Sequence, residues 1–280
     1  VPTIRERSDR CPGALRPWPA EDGLLVRLRL IGGQVAAPAL RALLAVAEEY
    51  GEGRVHVTAR ANLQVRALPG AGGRLRPDAL AALERTGLLP TRTHELVRNV
   101  LVSPQTGLAG GRADLRPVAA ELDRRLCVDP ELARLPGRFL FVLDDGRGDV
   151  LERDCDLGLV ALDDTSGQLR VGADWGPVVP LGEAAARIAA LARAFTDHRG
   201  SGPSAPWHVV ELGSRLAPPV AADHRLPGVS GPLPFGAVPG GRHVPVPEAG
   251  LDRAALAALS ADRLVVTPWR GVLVPEESHD

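Results

Sequence analysis

Between Val55 and Arg66 the chain alternates apolar and polar positions without a break (VHVTARANLQVR). Val55, Val57, Ala59, Ala61, Leu63 and Val65 fall on one side, and His56, Thr58, Arg60, Asn62, Gln64 and Arg66 on the other. A period of two predicts one long strand with a buried face and a free face. Same-side neighbours on a strand stand roughly 7 Å apart, so the polar groups from Thr58 to Arg66 would spread over about 27 Å. That face carries two guanidinium groups, an amide pair, a hydroxyl and an imidazole, and no carboxylate. Guanidinium forks match carboxylate and phosphate geometry, so the face suits an anionic ligand. A wet sheet face that happens to be basic fits the same pattern equally well.

Around this stretch the periodicities alternate between strand and helix. Leu24–Ile31 (LLVRLRLI) reads as a strand with Arg27 and Arg29 on one side, broken by Gly32-Gly33. Pro38–Tyr50 reads as a helix. Pro38 suits its first turn, Leu40, Leu43, Leu44 and Ala47 form its apolar stripe, and Gly51 ends it. Pro77–Thr86 predicts a short second helix. His94–Ser103 (HELVRNVLVS) sets Arg98 and Asn99 side by side in an apolar run, where an unexplained polar pair is costly. A strand end or a capped turn would account for the pair as well as a binding role. Further on come a helix at Leu115–Cys127, a strand at Arg138–Leu143 ending in the turn signal Asp144-Asp145-Gly146, and a hairpin of Leu157–Leu162 with Gln168–Gly172. Leu181–His198 is an Ala-rich helix, and Arg199–Pro206 and most of Gly213–Pro234 read as linkers. Trp207–Leu212 fits no single element. The last unit runs from the Pro-rich His243–Pro247 through a helix at Asp252–Ser260 to a strand at Leu264–Val274 (LVVTPWRGVLV).

The first and last units share a plan: a leading strand, an Ala/Leu helix, then a strand with Thr followed by Arg. Arg60 comes two residues after Thr58, and Arg270 three after Thr267. Two copies flanking a larger α/β region point to a pseudo-twofold protein with a site between the halves. The expected partition is 1–75, 76–212 and 213–280.

Bulk composition narrows the function classes. The net charge of −1 gives no global field for nucleic acid. Single-strand binders also stack bases on aromatic side chains, and the Val55–Arg66 face has none. There is no Lys, so all 33 basic residues are Arg, and the scarce residues become the informative ones. Asn62 and Asn99 are the only asparagines. Cys11, Cys127 and Cys155 stand far apart with no CxxC, which excludes a zinc ribbon or a four-cysteine iron–sulfur site built from them. The seven histidines show no HxH or HxxxH pairing, so no metal ligand is assigned. Asp144 and Asp145 read as turn residues, and Asp154 and Asp156 as loop residues or ligands. No apolar run reaches a membrane span, and a cytoplasmic location is expected.

Four segments carry a family resemblance: CPG…DGLLVRLR (Cys11 to Arg29), VTARANLQVR (Val57 to Arg66), VRNVLVSP…G (Val97 to Gly107) and LPGRFLFVLDDG (Leu135 to Gly146). With them the chain resembles the nitrite/sulfite reductase superfamily and, within it, the precorrin-3B synthases of aerobic cobalamin biosynthesis. The resemblance implies an α+β fold. It consists of two ferredoxin-like half-domains in pseudo-twofold arrangement with a central α/β sulfite-reductase-like domain. It further implies that Arg60 and Arg98 hold the acidic side chains of a tetrapyrrole such as precorrin-3A, with Arg138 as another cationic contact. Asn62 and Gln64 would line the same site, and Thr58, Asn99 and Arg270 would support it. At Leu140 the pattern departs from the sulfite reductases, which carry a further lysine there.

A [4Fe–4S] cluster and a non-haem iron are expected for the family. The cluster's four cysteines, which would follow the second half-domain, are not in this sequence, so its ligands would come from a longer chain or a cluster-bearing partner. The implied activity is an oxygen-dependent hydroxylation of precorrin-3A, served by a redox partner. The alternative is a non-catalytic tetrapyrrole-binding relative that has lost its iron–sulfur centre.

Overall fold

The computed structural model describes Asp9 and residues 11–276. Contacts divide these residues into two compact units: Cys11–Glu95 with the segment from Pro232 onward, and Asp9 with Leu96–Gly231.

The first unit opens with strands β1 (Trp18–Ala20), β2 (Gly23–Leu28) and β3 (Gln34–Ala36), followed by helix α1 (Ala37–Tyr50). In α1, Pro38 occupies the first turn, where its missing N–H costs nothing. Leu40, Leu43 and Ala47 are fully buried, and the Gly51 amide closes the last turn on the Ala47 carbonyl at 2.9 Å. Burying each leucine contributes roughly 1.5–3 kcal/mol. Next come β4 (His56–Val57), β5 (Leu63–Leu68), the small hairpin β6 (Gly70–Ala71) with β7 (Arg74–Leu75), and helix α2 (Pro77–Arg85), which packs on α1.

The unbroken strand expected over Val55–Arg66 is not formed. The chain reverses between β4 and β5, which pair antiparallel with His56 opposite Gln64 and Val57 opposite Leu63. An odd number of residues separates these partners, so alternate residues keep the same face through the reversal. A period-two pattern therefore reads alike for a straight strand and for this hairpin, and the polar groups do not run along one line.

The turn itself is built by Thr58. Its Oγ1 accepts the Asn62 amide at 3.2 Å and the Arg60 amide at 3.3 Å, and its carbonyl accepts the Ala61 amide at 3.0 Å. Ala61 takes φ +54° to close it.

The second unit holds β8 (Val100–Val102), α3 (Arg116–Val128), β9 (Phe141–Asp144), β10 (Leu157–Ala161), β11 (Ser166–Val171), β12 (Asp174–Pro180) and α4 (Leu181–Arg199). They form a mixed five-stranded sheet in the order β12-β11-β10-β9-β8, with β8, β9 and β10 parallel. The α3 crossover supplies the connection that parallel strands require. Helix α4 packs on α3 and on the sheet, where the buried rings of Phe139, Phe141 and Phe195 cluster with centroids 4.8 to 5.2 Å apart. The sequence pattern did not predict β12, because Gly176 and Pro177 interrupt it. At the edge of a sheet, proline removes no ladder hydrogen bond.

The remainder of the first unit is β13 (Gly236–Val238), β14 (Gly241–Pro245), α5 (Arg253–Ala257), β15 (Arg263–Thr267) and β16 (Gly271–Pro275). The single strand expected over Leu264–Val274 is again a hairpin, with Val266 opposite Val272 and Thr267 opposite Gly271.

The pseudo-twofold relation is now explicit. The strand order β1-β2-β5-β4 recurs as β13-β14-β16-β15, with α1 and α5 in corresponding connections. The exchange is reciprocal: β3, just before α1, adds to the edge of β15, and Leu251, just before α5, bridges Val55 beside β4. Gly33 makes the first exchange possible. A Cβ there would lie 2.0 Å from the Val266 carbonyl oxygen, and its φ of +72° disfavours any other residue.

Candidate functional site

The two repeat turns correspond residue for residue in register and hydrogen bonding. Thr58, Ala61 and Asn62 correspond to Thr267, Arg270 and Gly271. Both fourth residues take positive φ, Ala61 at +54° and Arg270 at +57°, and both threonine hydroxyls accept the amide of the fifth at 3.2 Å. The structural counterpart of Arg60 is therefore Trp269, not Arg270. Arg270 is exposed, and its carbonyl accepts the Val246 amide at 3.0 Å.

In the first half, the turn and strands gather a cationic face. Arg27 of β2 stands opposite Gln64 of β5 and donates to its Oε1 at 3.2 Å. Burial of the guanidinium lowers the Arg27 pKa, the nearby Cys11 opposes this, and the charge of Arg60 adds a smaller lowering. Arg27 Nε is buried with no hydrogen-bond partner, and among the described residues no carboxylate pairs with Arg27. A buried cation in that condition is costly unless something anionic completes it.

Asn62 plays a different part. It is 1% exposed, and its Oδ1 accepts the Leu30 amide at 2.9 Å, which ties the turn to the end of β2. The CPG segment is anchored behind this face. Glu95 accepts the amides of Ala14 and Leu15 at 2.6 and 2.8 Å, and Arg29 donates to the Pro12 carbonyl at 3.2 Å.

The corresponding place in the second half is aromatic. His243 of β14 is the counterpart of Arg27. Its Nδ1 faces the carbonyls of Leu233 and Pro234, both at 3.1 Å, and its Nε2 faces Thr267 Oγ1 at 2.9 Å. Carbonyls only accept, so Nδ1 carries the proton and Nε2 accepts from the threonine. Burial also lowers the His243 pKa, which keeps the ring neutral. Phe235 stacks against the imidazole at 4.4 Å, and Trp269 meets it edge-on at 6.3 Å. One half thus presents cations and the other presents rings on the same scaffold.

In the other unit, Arg98 and Asn99 precede β8. Arg98 is only 8% exposed and grips Asp123 of α3 through Nε and Nη2 at 2.6 and 2.9 Å. Its fork is engaged by a carboxylate of the chain itself. Asn99 Nδ2 donates to the carbonyls of Leu96 and Gly137 at 3.1 and 2.8 Å and so fixes the backbone on both sides. Arg138 is half-exposed, with its guanidinium 5.0 Å above the Trp207 ring and its Nε 3.5 Å from Asp9.

Next to Trp207, His208 directs Nδ1 at both oxygens of Asp156, at 3.1 and 3.2 Å. Asp156 is itself buried and fixed by the amides of Leu140 and Val209, each at 2.9 Å. From sequence, Trp207–Leu212 fits no single element and Asp156 reads as a loop residue or a ligand. No short-range spacing links positions 156 and 208, and only folding brings them together.

A third polar cluster surrounds Asp144. This carboxylate accepts the amides of Gly146, Gly148 and Val150, which confirms its expected role as a turn residue. Ser103 Oγ donates to Asp149 at 2.6 Å, and burial pushes the Asp149 pKa up to about 7. Asp145 binds Arg147 through two hydrogen bonds. Among the described residues no three histidine, cysteine or acidic side chains group as a metal site. Cys127 and Cys155 lie in one unit and Cys11 in the other, so the cysteines do not fit a four-thiolate cluster. No helix among the described residues is long and apolar enough to cross a membrane.

Comparison with known proteins agrees with this architecture. Residues 18–72 match the nitrite/sulfite reductase ferredoxin-like half domain. A precorrin-3B synthase from Sinorhizobium sp is 33% identical over 144 residues, which are 50% of this chain and 29% of that protein. The solved structure of the Mycobacterium tuberculosis NirA protein superimposes with a TM-score of 0.64 at 21% identity, covering 90% of this chain and 54% of NirA. The chain thus spans well under two thirds of either relative. Residues 18–72 thus carry a nitrite/sulfite reductase ferredoxin-like half domain, and the chain is similar in sequence to a precorrin-3B synthase and in fold to NirA.

Proposed function

We propose that this chain is the tetrapyrrole-binding part of a precorrin-3B synthase-like oxidoreductase of cobalamin biosynthesis. The observation that carries this reading is Arg27. Its partly buried guanidinium has an unpartnered Nε and stands beside Arg60, and among the described residues its hydrogen-bond partner is the neutral amide oxygen of Gln64. Early precorrins carry many carboxylates, and a guanidinium binds these in fork geometry. Similarity to the Sinorhizobium precorrin-3B synthase supports the choice of ligand class.

Arg27 and Arg60 would bind acid side chains, and Gln64 would orient Arg27. Thr58 and Asn62 would hold the turn that presents Arg60. Arg138 would be a further carboxylate contact. Asn99 would keep the backbone before β8 in place, while Arg98, already bound to Asp123, would organise structure and not contact ligand directly. Trp269 would take the role expected of Arg270, with an aromatic face in place of a cation. The redox chemistry of such an enzyme belongs to its metal centre, and this chain's three cysteines do not supply a [4Fe–4S] ligand set.

The test is binding of uroporphyrin III, an octacarboxylate tetrapyrrole, followed by fluorescence. Arg60→Ala is expected to weaken binding about tenfold or more, since a charge-assisted hydrogen bond contributes about 1.5–3 kcal/mol. Unchanged affinity refutes the assignment. The cysteine set favours a second reading, a tetrapyrrole-binding relative without its own redox centre. Iron and acid-labile sulfide analysis after anaerobic purification separates the two: stoichiometric iron supports the oxidoreductase, and uroporphyrin binding without iron supports the binding protein.

A further inference from the structure

We infer that the cavity beside α1 and α5 is a binding site for an apolar α-amino acid. It shares no lining residue with the cationic face at Arg27, and the inference does not rest on the tetrapyrrole reading. Both helices belong to the same compact unit.

The cavity follows from unequal helices. α1 and α5 take corresponding places in the two repeats, but α1 has 14 residues and α5 has 5. At about 1.5 Å per residue they run roughly 21 Å and 7.5 Å, so part of α1 has no helical counterpart. Here lies a cavity of about 560 Å³, within the usual range for small-ligand sites. From α1 it takes Arg41, Leu44, Ala45 and Glu48, which share one helix face at spacings of three and four.

Its floor is hydrocarbon. Leu44, Leu256 and Leu259 line it, and all three are buried. An apolar side chain laid over them removes further hydrocarbon from water, which is favourable in proportion to the area covered.

The two ends differ. At one, Arg253 donates to both oxygens of Glu48, at 3.1 and 2.5 Å, so these opposite charges satisfy each other. At the other, Asp262 sits at the start of α1, where its carbonyl accepts the Ala37 amide at 2.9 Å, and Arg41 follows one turn later. Arg41 and Asp262 both line the cavity, yet neither side chain has an ion pair or hydrogen bond among the described residues. Ser260 adds an exposed hydroxyl to the same wall.

An unspent cation and an unspent carboxylate at one end of an apolar trough complement a zwitterion. The ligand carboxylate takes the guanidinium fork of Arg41, and its ammonium takes Asp262. A simple anion would meet the like charge of Asp262, and a simple amine that of Arg41. From Arg41 to Glu48 is about 10.5 Å along the helix, room for a side chain the size of leucine or phenylalanine.

The experiment is isothermal titration calorimetry of the whole chain with L-leucine and L-phenylalanine. Isocaproate and phenylpropionate lack the ammonium, isopentylamine and phenethylamine lack the carboxylate, and these serve as comparison ligands. The expected result is a Kd of about 1 mM or tighter for at least one amino acid, and binding about tenfold weaker or worse for its matching acid and amine. Arg41→Ala and Asp262→Asn should each weaken amino-acid binding about tenfold, the usual effect of losing a charge-assisted hydrogen bond. Ala45→Trp, which fills the cavity from an exposed position of α1, should abolish it. Circular dichroism and the urea midpoint check that each variant keeps its fold, and the comparison ligands need no variant at all. The inference is overturned if neither amino acid binds, if the matching acid or amine binds as tightly, or if folded Arg41→Ala and Asp262→Asn proteins bind as the native chain does.

Discussion

Replacing Arg27 by Met should make the protein more stable and its ligand affinity weaker, and this pairing tests the site directly. Met keeps most of the apolar stem of Arg and removes the guanidinium. The native side chain leaves Nε buried without a partner and faces a second cation at Arg60. An unsatisfied buried donor costs about 1–3 kcal/mol. Against this, Met gives up the 3.2 Å hydrogen bond to Gln64, a net loss of about 1 kcal/mol. Gln64 is only partly buried, so water can replace the lost donor. The balance is a gain of about 1 kcal/mol, readable as a higher urea midpoint with unchanged slope.

Ligand binding should respond the other way. A charged contact of about 1.5–3 kcal/mol corresponds to roughly 10- to 100-fold weaker uroporphyrin III binding. The wild-type affinity should fall with added salt more steeply than that of the variant. If Arg27→Met lowers stability and leaves affinity unchanged, Arg27 is a structural side chain and the proposed anion face is wrong.

Three further outcomes follow from the same geometry. Gly271→Ala places a Cβ 2.2 Å from His243 Nε2 and should cost about 2–4 kcal/mol through overpacking and the lost Thr267 contact. Adding His243→Ala should recover part of that loss, and additive effects in a double-mutant denaturation cycle would refute the clash. Arg98→Ala leaves Asp123 without its partner and should destabilise by about 3 kcal/mol in urea unfolding; a loss under 1 kcal/mol would show the pair to be dispensable. Asp149 has a folded pKa of about 7, raised above its unfolded value, so the native state binds more protons between pH 4 and 7. The stability it contributes therefore falls as pH rises through that window, by up to about 4 kcal/mol. Asp149→Asn should flatten that part of the stability–pH curve, and an unchanged curve would place the titration elsewhere.

Much of the architecture follows from periodicity alone. The stripe of Leu40, Leu43, Leu44 and Ala47 defined α1, because a helix in contact with a core must bury one face. Repetition of the Thr-containing segment revealed the two-copy plan, since both copies meet the same steric requirement at the turn. Alternation could not reveal that each segment turns back on itself, because an odd separation between paired residues preserves the face. Nor could it show that β3 and Leu251 cross to the opposite half, because strand exchange depends on partners 196 to 231 residues away.

Site chemistry divided in the same way. Arg60 and Gln64 were visible on a polar face, but their relation to Arg27 depends on the register between β2 and β5. Arg98 and Asn99 stood out as polar residues in an apolar run. Their tertiary partners, Asp123 and the carbonyl of Gly137, show what they satisfy. The His208–Asp156 dyad left no local mark, since residues 52 apart share no period. Sequence determined the elements through short-range sterics and hydrophobic burial. Tertiary structure decided that Arg98 met a counter-charge in Asp123 and that Arg27 Nε was buried without a partner among the described residues.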